Sequence, residues 1–226
     1  MTAISGLDGQ EVRSPSNDRH ASGLGPAIAG IVALAAYIRT LLPGMAFGDW
    51  GEMQTVPHVL GIAHPTGYPT YVLLAAITEL VPIGSVAFRA NLLSAVLVAG
   101  AVALVAAILV RLEVRVVFAI AVALAFGAVG TVWAAATVAE VNALHLALMA
   151  LTIERTLVWQ QERRARDLAL VALLIGLALG NHLLTLFVAP FLVCFVMWAG
   201  RTTVRSNPRL LVRSVAAGLI GLAGYA

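Results

Sequence analysis

The stretch AFRANLLSAVLVAGAVALVAAILV, residues 87–110, carries one charge, Arg89, close to its start and is otherwise almost continuously apolar. It exceeds the about 20 residues a helix needs to cross about 30 Å of hydrocarbon. Further apolar segments lie near residues 26–43, 116–135, 141–159, 168–181, 183–200 and 210–226. The chain is 61% hydrophobic and 11% charged, where soluble domains have about 25% charged residues. Its mean hydropathy is +0.95. These values predict an all-α polytopic membrane protein with about seven spanning helices, and they exclude a domain surrounded by water. The segments 168–181 and 183–200 meet at Asn181 and His182 and are expected to be two crossings. A bent hairpin or reentrant pair is the alternative, because the first is short.

Between the first two apolar segments lies YPTYVLLAAITEL, residues 68–80. At 1.5 Å per residue this is about 20 Å of helix, too short to span and suited to the membrane surface. The predicted organisation is therefore a disordered cytoplasmic tail over residues 1–25 and a transmembrane domain over 26–226, with an outer loop and interfacial helix at 44–86. The tail lacks the apolar stretch of a cleavable signal. The chain stops inside an apolar segment, at GLIGLAGYA, which is the expectation for an N-terminal portion of a longer fold.

All 14 basic residues are Arg. A cytoplasmic N-terminus puts twelve of them inside and leaves only Arg39 and Arg89 at the outer boundary, a strong positive-inside asymmetry. The net charge of +3 therefore reports topology; no basic run carries interleaved aromatics, and nucleic acid is not an expected partner. The single Cys194 excludes an internal disulfide, and no paired-cysteine metal spacing is present.

This orientation sends three polar stretches to the outer face: GDWGEMQ (48–54) with GIAHPTGYP (61–69), AEVNALH (139–145), and GNHLL (180–184). Helices packed side by side bring such ends together, so distant residues can line one cavity. Asp49 and Glu52 share a face if their segment is helical. They also fit a near-capping box, with Asp49 as N-cap and Glu52 three positions on. His64 is either part of a rigid Pro- and Gly-bounded turn, with Tyr68 anchored at the interface, or a donor to an oxyanion or phosphate. Glu140 is costly at its depth unless it meets water or a partner. His145 reads as packed within its helix. Asn181 and His182 are either a polar turn or, in the case of His182, a phosphate donor like Arg89, whose guanidinium suits forked bonding.

The ordered series GDWGEMQTVPHVLGIAHPTGYPTYVLL, AFRANLLSA, VWAAATVAEVNALHLAL and GLALGNHLLTL resembles the membrane domain of the protein O-mannosyltransferase-like family, formerly a domain of unknown function, in the GT-C superfamily of membrane glycosyltransferases. The resemblance covers about residues 30–200. The family pattern reads Asp-Ser-Gly-Glu, His-Pro-Pro-Gly-Tyr-Pro and Glu-Val-Tyr, and this chain has Trp50, Thr66 and Asn142 at the variable points.

The resemblance implies a GT-C-like fold and a polyprenyl-phosphate-linked sugar as donor, with membrane lipid and an acceptor protein or glycan as partners. It implies transfer of a sugar, mannose among the candidates, to an acceptor hydroxyl such as protein Ser or Thr on the extracytoplasmic face; no cofactor is assigned and metal dependence is left open. Asp49 would be the base of an inverting displacement, with Glu52 beside it. His64, Tyr68, Arg89, Glu140, Asn181 and His182 would bind substrate. The expected location is a bacterial inner membrane. The competing expectations are a transporter or flippase, against which no internal repeat is visible, and an inactive truncated scaffold.

Overall fold

The computed structural model describes residues 15–225. Of the expected tail, residues 1–14 lie outside the described residues, and the remainder opens the first helix, α1 (Pro15–Thr40). The chain continues through α2 (Asp49–Thr55), a 3₁₀ turn (Pro57–Val59), α3 (Pro69–Thr78), α4 (Val86–Arg111), α5 (Val116–Gly127) and α6 (Gly130–Thr137). It ends with α7 (Val141–Glu162), α8 (Ala165–Leu179), α9 (Thr185–Ala199), α10 (Arg201–Ser206) and α11 (Pro208–Gly221). No strand occurs among the described residues.

The expectation of seven crossings is corrected. Among the described residues three stretches are long and apolar enough to cross a membrane, Gly23–Thr40, Val86–Arg111 and Val141–Glu162. A fourth exists only if α5 and α6, bent 71° to one another, count as one span. The other three expected segments form helices of 15, 15 and 14 residues, about 21–23 Å each at 1.5 Å per residue and short of the about 30 Å core. Backbone breaks that hydropathy does not register set these lengths: the turn at Gly180–His182 ends α8, and Gly200 and Asn207–Pro208 isolate α10 and α11. The short element expected over residues 68–80 is found as a helix, α3, ten residues opened by Pro69 at its first turn.

The core forms where α4 packs against α1 and α5 on one side and α7 on the other. Its buried residues are mostly small: Ala29 and Ala33 of α1 meet Ala95, Ala99 and Val102 of α4, with Ala123 and Ala143 alongside. Small side chains let helix backbones approach closely, the usual way helices associate where apolar burial gives no net drive. The α8–α11 crossing takes this furthest. A Cβ on Gly176 would sit 2.2 Å from the Gly218 carbonyl oxygen, so only glycine fits there.

At the end of the bundle where α1 finishes and α4 and α7 begin, directional bonds replace apolar packing. The Tyr37 hydroxyl donates to the Gly127 carbonyl at 2.9 Å, the Trp133 indole donates to Thr40 Oγ1 at 3.1 Å, and Leu42 N–H donates to Thr137 O at 3.0 Å. These bonds join α1 to the bent α5–α6 pair and hold the loop after α1 against the ends of its neighbours.

Candidate functional site

Two fully buried amides organise that end. Asn91 Oδ1 accepts from Gln54 Nε2 and from the backbone N–H of Ala139, both at 2.8 Å, while its Nδ2 donates to Leu42 O at 2.7 Å. Gln54 Oε1 in turn accepts from Ala46 N–H at 2.8 Å. One knot thus ties the loop after α1, helix α2, helix α4 and the turn before α7. A buried amide is costly unless its hydrogen-bonding groups are met, so this arrangement holds the carboxylate-bearing segments in one register.

The first such segment is α2. Its N-cap is Gly48, at φ 63°, a left-handed value that glycine adopts without strain. The capping-box alternative for Asp49 is thereby corrected: Asp49 is the first helical residue, and no side chain caps the helix. Glu52, one turn on, is committed elsewhere. Its Oε1 accepts from the backbone N–H of His64 at 2.7 Å and its Oε2 lies 2.6 Å from His64 Nδ1. The far nitrogen of that ring, Nε2, lies 3.2 Å from the Tyr68 hydroxyl. Tyr68 is the left-handed residue before α3, and Thr70 binds α3 to the end of α8 through Gly180 O at 3.2 Å and Leu177 O at 3.0 Å. The next turn brings the His182 ring to 6.1 Å from that of Tyr68, stacked.

The second carboxylate segment is the turn before α7. Glu140 is the N-cap of α7 and accepts from Asn142 N–H at 3.3 Å and Asn142 Nδ2 at 3.0 Å. Its other oxygen accepts from the Trp50 indole at 3.0 Å, and its backbone N–H donates to Ser94 Oγ at 3.2 Å.

These elements enclose a cavity of about 530 Å³ lined by Asp49, His64, Tyr68, Glu140, Asn142 and His182, among others. The Trp50–Glu140 bond separates it from a second, more apolar cavity of about 420 Å³ lined by Val132, Ala135, His145 and Leu146. The hydrogen bond with His64 holds the Glu52 carboxyl below its usual range. The same bond holds the His64 imidazole above its usual value, with Asp49 and Glu140 adding to the effect. Partial burial, then the surrounding carboxylates, push the Tyr68 phenol up. Asp49, by contrast, has no ion pair or side-chain hydrogen bond among the described residues and opens onto the cavity. Of the three carboxylates at this site it alone has no side-chain hydrogen-bond partner among the described residues.

Six of the eight residues expected at the site are therefore together: Asp49, Glu52, His64, Tyr68, Glu140 and His182. Asn181 is not, being fully buried with Nδ2 donating to Val141 O at 3.0 Å. Arg89 lies at a different cavity, where Nη1 donates to Ile83 O and Gly84 O at 3.4 and 3.1 Å. Residues two apart on a helix do not share a face, so with Asn91 turned inward Arg89 is turned away. Asp49, Glu52 and His64 each offer a ligand atom, all within 4.8 Å of one another, as a metal would require. Both Glu52 oxygens are, however, already engaged by His64. Sequence reasoning missed Gln54, Asn91 and Ser94, whose only signal was polar side chains within apolar or motif-bearing stretches.

Residues 49–206 match the family described as the protein O-mannosyl-transferase TMEM260 N-terminal domain. The chain belongs to that family. The matched span begins at Asp49 itself and runs through α10, taking in α2, α3, α4, the Glu140 turn and the His182 turn. Within the TMEM260 relatives, the mouse protein O-mannosyl-transferase TMEM260 is 35% identical over 193 residues, 79% of this chain and 27% of the mouse protein. The Dictyostelium discoideum protein O-mannosyl-transferase tmem260 is 28% identical over 208 residues, 84% of this chain and 25% of that protein. The chain thus spans about a quarter of the length of these TMEM260 proteins. No solved structure matches it.

Proposed function

We propose that this chain is the catalytic membrane portion of a GT-C type protein O-mannosyltransferase, moving a sugar from a polyprenyl-phosphate carrier to a protein Ser or Thr hydroxyl on the extracytoplasmic face. The observation that carries the reading is the pairing, in one cavity, of an uncommitted carboxylate, Asp49, with the imidazoles of His64 and His182. Family membership and the names of the relatives support the class of reaction.

In this mechanism the acceptor oxygen attacks the anomeric carbon and the carbon–oxygen bond to phosphate breaks, its electron pair leaving on the phosphate. Asp49 takes the acceptor proton. A phosphate leaves without the general acid that a glycosidase needs, so one base suffices and the displacement inverts configuration. His64, whose protonated form the Glu52 carboxylate favours, stabilises the charge that develops on the departing phosphate. Glu140, with Asn142, orients the acceptor. The twelve-to-two distribution of Arg supports a cytoplasmic N-terminus with the cavity on the far side of a bacterial inner membrane.

The test is Asp49→Asn in the full chain reconstituted in membranes. Removing a positioned base is expected to lower transfer by about 10²–10⁴-fold with unchanged insertion and melting temperature. Undiminished transfer would overturn the mechanism, and sugar flux without a covalent product would favour a transporter.

A further inference from the structure

The turn that carries His64 serves two cavities. His64 and Tyr68 line the polar one, while Thr66, Gly67 and Pro69 line a separate one of about 400 Å³. Tyr68 and Pro69 are consecutive, with Cα atoms about 3.8 Å apart, so the two cavities adjoin. Leu60 and Ile62, from the stretch before the turn, wall the second cavity together with Leu73 of α3 and Tyr225, and no charged residue among those described lines it. Residues 61–63 belong to no helix. Ile62 is 91% exposed, Ala63 is buried in the core and His64 is exposed again, the alternation of extended backbone. Neither the N–H nor the carbonyl of Ile62 has a hydrogen-bond partner among the described residues.

We infer that this second cavity takes an apolar side chain of the acceptor polypeptide, close in sequence to the Ser or Thr that meets Asp49. The inference rests on the transferase reading and adds an acceptor preference to it. Lipid and polypeptide compete for an exposed apolar surface on a membrane protein, and the backbone decides between them. Irregular backbone with unmet N–H and C=O groups is not found against hydrocarbon. An extended peptide meets such groups edge to edge and places alternate side chains in the pockets beside them. Ile62 is two residues from His64, about 7 Å at strand spacing, so a chain paired with Ile62 reaches the polar cavity. Glu52 fixes the turn between them by accepting from the His64 N–H at 2.7 Å, which keeps the two cavities at one spacing. At about 3.3 Å per residue, the side chain held in the second cavity lies within about four residues of the modified hydroxyl. A charged side chain is disfavoured there, because it would lose hydration without gaining a partner.

The experiment supplies the full chain in lipid nanodiscs with a labelled polyprenyl-phosphate sugar and a set of peptides, each holding one Thr and either Leu or Asp at one position up to four residues to either side. At one such position Leu is expected to lower the acceptor KM at least about tenfold relative to Asp, the margin of burying one apolar side chain. Ile62→Asp is expected to abolish that preference while donor KM stays at the wild-type value, and a substitution at so exposed a position leaves the fold intact. A preference of the same size in Ile62→Asp, or no position at which Leu and Asp differ, would overturn the inference and leave the transferase reading standing. A change of donor KM or of membrane content in the variant would make the surface a lipid contact and also overturn it. Transfer to a folded Ser- and Thr-containing protein but to none of the peptides would overturn the inference alone. Transfer to neither would overturn both.

Discussion

The two ends of the helix bundle both hold carboxylates, and Glu154 at one and Asp49 at the other differ in what their oxygens meet. Toward the end where α4 finishes, Glu154 is buried, and both its oxygens are taken, one by Arg111 Nη2 at 2.9 Å and one by Arg155 Nε at 2.5 Å. Arg111 is occupied further by Gln161 at 2.8 Å. At the other end, Glu52 and Glu140 are engaged in the same manner by His64, Trp50 and Asn142, but Asp49 is left without a partner beside an open cavity. A saturated carboxylate holds helices together. One with unused acceptor capacity, set among donors, can exchange protons with a substrate.

The comparison breaks most severely at the amide knot. Asn91→Ala would strand the buried groups of Gln54 and Ala139 together, and each unsatisfied buried group costs about 1–3 kcal/mol. The expected outcome is a loss of about 2–6 kcal/mol in thermal unfolding, with transfer falling in parallel because the Asp49 and Glu140 segments lose their common anchor. Activity retained at full level in a destabilised protein would show that the knot does not set the site geometry.

Glu154→Ala probes the saturated end. It leaves Arg111 and Arg155 unpaired at one-third exposure or less. The cost falls between that of exposed and fully buried pairs, about 1–3 kcal/mol. The melting temperature is expected to drop while KM for the donor is unchanged. A change in KM would show that the two ends are coupled.

These contrasts also mark how far the sequence carries. The polar stretches at 48–69, 139–145 and 180–184 were legible as one site, because polar residues ending apolar segments have few places to go but a shared cavity. The short helix α3 was legible from its length between Pro69 and Glu79. The number of crossings was not: composition registers apolar surface but misses the 71° bend between α5 and α6 and the breaks that shorten α8, α9 and α11. Arg89 and Asn181 shared motifs with true cavity residues, and only the helical register and turn geometry separate them from it. Gln54 and Asn91 stayed hidden because neither residue is informative without the other.

The His64–Glu52 pair sharpens the comparison through pH. His64 is raised, so its share of the pairing is complete below the ordinary histidine value and is lost as pH rises through the raised one. Glu52 is depressed, so its share is complete above the ordinary carboxylate value and is lost as pH falls through the lowered one. Donor KM is therefore expected to rise as pH climbs through the raised His64 value, and His64→Asn is expected to flatten that rise. A rise of the same size in the variant would assign it to another group.

The smallest effect is expected at Trp50→Phe, which keeps the ring and removes the indole N–H from Glu140. Loss of that bond is worth about 0.5–1.5 kcal/mol, read as an up to about tenfold change in kcat/KM with little change in melting temperature. No change at all would make Trp50 a wall of the cavities and nothing more.

The most direct test of the central claim is mass spectrometry of a Ser- and Thr-containing acceptor protein incubated with membranes that hold the full chain and a labelled polyprenyl-phosphate sugar. The account expects one labelled sugar to appear on a hydroxyl residue with the wild-type chain and none with Asp49→Asn at equal membrane content. Labelled acceptor formed equally by both would contradict it.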